Sequence, residues 1–77
     1  MDVDKIQLAI NYIPGVLEVH DFYIWSISPS EHALMTHVVF SSEFDQPKFY
    51  RKFEYLMTKY EIKFYTVQLE ECMEHHE

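Results

Sequence analysis

The stretch Ile13-Pro-Gly-Val-Leu-Glu-Val-His20-Asp-Phe-Tyr-Ile-Trp25 decides how the rest of this chain is read. Pro14-Gly15, which holds the only glycine, reads as a turn that stops a helix. The residues that follow are rich in Val, Ile, Phe, Tyr and Trp, and predict a strand from Val16 to Ile27. Within it, His20 and Asp21 stand where apolar residues would be expected. Upstream, Val3, Ile6, Ile10 and Ile13 recur at helical spacing, so residues 2–13 read as a helix with Asp2 and Asp4 at its positive end.

Downstream, Ser28-Pro29-Ser30-Glu31 reads as a turn. His32 to Ser41 then forms a second strand, antiparallel to the first because the connection is short. That strand places another histidine among β-branched neighbours, in Met35-Thr-His37-Val-Val-Phe40. Ser42 to Gln46 is a polar break. Pro47 suits the first turn of a helix, with Phe49, Phe53, Leu56 and Tyr60 as its apolar stripe. Phe64 to Glu70 alternates as a third strand, and residues 71–77 are left as a flexible acidic tail.

The order helix, strand, strand, helix, strand predicts an α+β fold. It is a ferredoxin-like α-β-β-α-β sandwich, a three-stranded mixed sheet with two helices on one face. The other face stays open, and an open face bearing apolar side chains tends to be covered by a partner. A chain of 77 residues is expected to be a single domain, 1–77. It buries only ~60% of the surface its unfolded chain exposes, so a partner chain or a metal is a natural source of extra stability.

Thirteen Asp and Glu against six Lys and Arg leave a net charge of −7. Such a chain repels phosphates, which makes nucleic acid and anionic lipid poor partners and favours cations. One cysteine excludes an internal disulfide and fits a reducing compartment. No apolar run approaches the ~18 residues needed to cross a membrane, and Asp2 and Asp4 occupy the place of a positive signal-peptide region, so no direct membrane insertion is expected. The sequence holds no nucleophile, base and orienter triplet and no phosphate loop; an enzyme is not expected. Tyr50, Arg51, Lys52, Tyr55 and Lys59 read as a solvated helix face.

Two histidines on adjacent strands are the minimum of a metal site. A four-residue turn over 28–31 pairs Ile27 with His32, Phe22 with His37 and His20 with Val39. His20 and His37 then become diagonal neighbours with Cβ atoms roughly 7 Å apart. Regular alternation puts His20, Phe22, Ile24 and Ser26 on one face and turns Asp21 to the opposite one. Thr66, Gln68 and Glu70 share a face of the third strand, where Glu70 is the candidate carboxylate. Two readings stay open for the histidine pair: metal ligands, or side chains satisfied by hydrogen bonds beside a partly buried sheet. Cys72, His75 and His76 form a second, weaker candidate in the tail. His32 reads as a solvated turn residue.

"V-H-D-F-Y-I-W" at Val19–Trp25 resembles the "V-H-D-L-H-I-W" of the cation diffusion facilitator family, in its eukaryotic zinc-transporter branch. "H-A-L-M-T-H-V-V" resembles the family's next strand, and "K-Y-E-I-K-F-Y-T-V-Q-L-E" its closing "gI-x-H-x-T-I-Q-x-E". The likeness covers the chain from the first helix through Glu70. It implies a cytosolic, metal-sensing domain that forms a homodimer below the transmembrane domain of a proton-coupled zinc efflux transporter, in the plasma membrane or an organelle. The resemblance further implies that bound Zn²⁺, or another divalent transition-metal ion, stabilises the closed dimer. The matched ligand positions are His20, His37 and Glu70, with Gln68 where some bacterial members have histidine, and Cys72 and His75 resemble a C-x-x-C of some animal members. Tyr23 replaces a second family histidine, and Phe64 or Tyr65 stands near another. The competing readings are a purely structural dimerisation module and a free-standing soluble metal carrier; the latter lacks the Cys-x-x-Cys loop such carriers use.

Overall fold

The computed structural model describes residues 2–72. Helix α1 spans Val3–Asn11, capped by the Asp2 carboxylate, which accepts from the Lys5 N–H at 3.1 Å. Ile6 and Ile10 are wholly buried. The helix stops two residues short of the predicted Ile13, since the residue before a proline is pushed out of the helical region. Ile13 is still buried, as part of the turn into the sheet.

Gly15 makes that turn with φ +91°, a left-handed conformation that β-carbons disfavour. A Cβ placed there would also lie 2.9 Å from the Phe44 Cα. Gly15→Ala is therefore expected to cost about 2 kcal/mol in urea unfolding, whereas the same change at an unconstrained glycine stabilises by about 0.4–1 kcal/mol.

Strands β1 (Val16–Ser28), β2 (Glu31–Phe40) and β3 (Ile62–Glu71) form one sheet in the order β1-β2-β3, with α2 (Gln46–Lys59) between β2 and β3. β1 and β2 are antiparallel, and β2 and β3 parallel. This is the predicted α-β-β-α-β topology. Asp45 caps α2 through the Lys48 N–H at 3.1 Å, and Pro47 lies in its first turn. The buried stripe is Phe49, Phe53 and Met57; Leu56 and Tyr60, predicted for it, lie at its half-buried edge.

Both helices pack on one sheet face, against Leu34 and Val38 of β2. Phe53 stacks on Phe49 at 5.5 Å and meets Tyr65 edge-on at 5.3 Å between ring centroids. Burial, followed by the Glu54 carboxylate, raises the Tyr65 phenol above its ordinary value. The opposite face carries Trp25, Ala33 and Phe64 in one cross-strand row and Tyr23, Met35 and Thr66 in the next. Tyr23, Trp25, Met35 and Phe64 are each about half exposed there.

The predicted register of β1 against β2 is corrected. Ser28 pairs with Glu31, so the turn is the two residues Pro29-Ser30, and Ser26, not Ile27, pairs with His32. A bulge then places two residues, Asp21 and Phe22, opposite Thr36 alone. In consequence His20 faces His37 directly instead of diagonally. Phe22 and Ile24 turn to the helix side, where they pack on the core. His32 is half-buried within β2, with a buried Nδ1, and is not a solvated turn residue. β3 begins at Ile62 and takes in Glu71, and the Cys72 N–H donates to the Phe40 carbonyl at 3.0 Å. His75 and His76 lie outside the described residues.

Candidate metal centre

Three neighbouring strands each supply one donor to the open face: His20 from β1, His37 from β2 and Glu70 from β3. One ligand atom from each lies within 4.8 Å of the others. The two imidazole centroids are 4.5 Å apart. Glu70 reaches diagonally across the β2–β3 ladder, its Oε1 standing 2.8 Å from the His37 Nε2. Although so near, that oxygen is off the line a hydrogen bond needs, and the buried Nε2 has no hydrogen-bond partner.

Asp21 belongs to the same cluster, which regular alternation had not predicted. It takes φ +52°, left-handed, and its Oδ2 lies 3.2 Å from the His20 Nδ1 and 3.6 Å from the His37 Nδ1. The bulge is held by Thr36, 2% exposed, whose hydroxyl donates to the His20 carbonyl at 3.4 Å. A sequence signal for it exists. Val19-His-Asp-Phe22 puts two polar residues between apolar ones where alternation allows one, and aspartate tolerates the left-handed region better than most residues.

Gln68 lies beside His37 in the ladder on the face of Glu70, but is not one of the three convergent donors. Cys72 is not among them either; it sits half-buried beside Leu17, Ser41 and Ser42. His75 and His76, the rest of that candidate, are outside the described residues.

Two imidazoles and a carboxylate suit zinc, which binds them at ~2.0–2.2 Å and so holds neighbouring donor atoms roughly 3.4 Å apart. The present spacings, from 2.8 Å up to 4.8 Å, bracket that value. The buried His37 Nε2 has no hydrogen-bond partner and stands 2.8 Å from the Glu70 Oε1, so a cation could be shared by the two. Three donors also leave a fourth position of a tetrahedral ion for water or another group.

The fold and the site together define an α+β domain with three convergent candidate metal ligands on its uncovered sheet face. The family model for the cytoplasmic domain of cation efflux proteins matches residues 1–72, and the chain belongs to that family. It is 36% identical over 69 residues to a vacuolar zinc transporter of Toxoplasma gondii, covering 88% of this chain and 8% of the transporter. A probable zinc transporter protein of Dictyostelium discoideum is 34% identical over 71 residues, 91% of this chain and 13% of its own length. A cadmium, cobalt and zinc/H(+)-K(+) antiporter of Bacillus velezensis is 29% identical over 80 residues and covers 100% of this chain, which spans 26% of it. The chain thus spans about a quarter or less of these relatives' lengths. Among solved structures, the metal-bound C-terminal domain of the CzcD transporter from Cuprividus metallidurans superposes with a TM-score of 0.81 at 25% identity, covering 91% of this chain and 99% of that one. Among the described residues, no helix is long and apolar enough to cross a membrane.

Proposed function

We propose that the 77 residues form one cytosolic domain that senses metal and dimerises on behalf of a proton-coupled zinc efflux transporter. The observation that carries this reading is the convergence of His20, His37 and Glu70 on an uncovered sheet face. His20, His37 and Glu70 hold the ion, and Gln68, water or a second copy of the chain completes its shell. The exposed patch of Tyr23, Trp25, Met35 and Phe64 adjoins the cluster and supplies the apolar surface for a second copy. Zinc regulates by population shift. If the closed pairing of two copies binds it more tightly than the open one, occupancy moves the equilibrium by that difference in affinity.

The same apolar patch favours a second reading, a structural dimerisation module without a metal role. Calorimetric titration of chelator-stripped protein with Zn²⁺ separates the two. Micromolar or tighter binding, lost by at least a hundredfold in a His20→Ala/His37→Ala double variant, is the expected result. Binding unchanged in that variant would move the site to Cys72 and the tail histidines. Dimerisation by sedimentation with no zinc binding would leave the structural module.

A further inference from the structure

We infer that Asp21 is a positioning residue of this metal centre, its single carboxylate serving both histidines. The inference rests on the metal-binding reading of His20, His37 and Glu70. An ionised carboxylate can only accept, so the 3.2 Å contact from Asp21 Oδ2 to His20 Nδ1 requires the proton on that nitrogen. The Nε2 of His20 then carries the free lone pair. His37 repeats the arrangement more loosely: its Nδ1 is 3.6 Å from the same oxygen, just beyond hydrogen-bond distance. Its Nε2 lies on the other side of the ring, beside Glu70 and without a hydrogen-bond partner. Asp21 therefore stands on the Nδ1 side of both rings, and Glu70 on the metal-facing side of His37.

A carboxylate behind a ligating imidazole fixes its tautomer and orientation and raises its basicity. The backbone is shaped to deliver that carboxylate. In a regular strand Asp21 would face the helices; here its left-handed φ of +52°, pinned by Thr36 on the His20 carbonyl, brings it to the open face. A non-glycine residue pays in strain for that conformation, as functional sites often do.

Two substitutions separate the bulge from the carboxylate. Asp21→Gly keeps the positive φ and removes the acid. Asp21→Asn keeps an acceptor oxygen at the same place and loses the charge. Zinc titration is read together with long-range ¹H–¹⁵N correlation of the imidazoles at about pH 8. In the metal-free native chain His20 and His37 are expected as Nδ1–H tautomers, and the zinc-loaded chain is expected to show metal on both Nε2 atoms. Asp21→Gly is expected to weaken zinc binding about 10–100-fold, in the range seen when outer-shell partners are lost, and to release the tautomer preference without lowering the melting temperature. Asp21→Asn should keep the Nδ1–H tautomer and lie between the two in affinity.

Zinc affinity within threefold of native in Asp21→Gly, or an unchanged tautomer, would overturn the inference. Metal on Nδ1 would also overturn it, making Asp21 a ligand. A native chain that binds no zinc would instead refute the proposed function; the metal-free tautomers would still report whether Asp21 holds the rings.

Discussion

Zinc at a free concentration of one hundred times its dissociation constant is expected to raise the unfolding free energy by about 2.7 kcal/mol. For a domain of this size that is an upward shift of roughly 10–20 °C in the melting midpoint. The size of the effect follows from topology. His20, His37 and Glu70 come from three different strands, so an ion bound by all three is bound only when β1, β2 and β3 are paired. An unfolded chain offers the same side chains without the convergence. His37→Ala should abolish most of the shift, because His37 is the middle donor, next to both His20 and Glu70. The shift should also shrink in acid, since imidazole ligates only when neutral and protons compete with the ion. Differential scanning fluorimetry with and without zinc measures all three. A zinc-induced shift that persists in His37→Ala would place the ion elsewhere.

Phe53→Ala is expected to cost about 3–5 kcal/mol and to remove cooperative unfolding near physiological temperature. Phe53 is fully buried, stacks on Phe49 of the same helix, and is the ring through which α2 meets the β3 residue Tyr65. A domain of this length has a total stability of roughly 4–12 kcal/mol, so one such cavity consumes a large part of it. Phe64→Ala, on the open face and 53% exposed, should cost under about 1 kcal/mol in the same chain when monomeric. Its effect belongs to association. If the open face pairs two copies, Phe64→Ala weakens the dimer measured by sedimentation while leaving the monomer's melting curve nearly unchanged. Comparable unfolding losses in the two variants would mean that the open face is buried within the chain.

The element order was legible in the sequence because each element announces itself through short-range chemistry. Pro14-Gly15 ends α1, Pro47 starts α2, and runs of β-branched and aromatic residues mark the strands. The resemblance in Val19–Trp25 led to the family that the match over residues 1–72 establishes. His20, His37 and Glu70 could also be named, since polar residues inside apolar strands are conspicuous whatever the register.

How those three meet depends on two features that are invisible to a strict alternation of faces. One is the two-residue turn at Pro29-Ser30; the other is the bulge at Asp21 and Phe22. Together they move His20 from a diagonal position to one directly across from His37. Asp21 shows the limit most plainly. By sequence it belongs on the far side of the sheet, yet its carboxylate lies between two imidazoles. The sequence by itself determined which elements form and which residue types are available to bind a metal, because helix stripes, turns and strand composition are local. Only the tertiary structure decided which side chains converge. A single left-handed residue reverses the facing of everything beyond it, and that conformation holds only where Thr36 secures the bulge and Phe22 gains a place in the core.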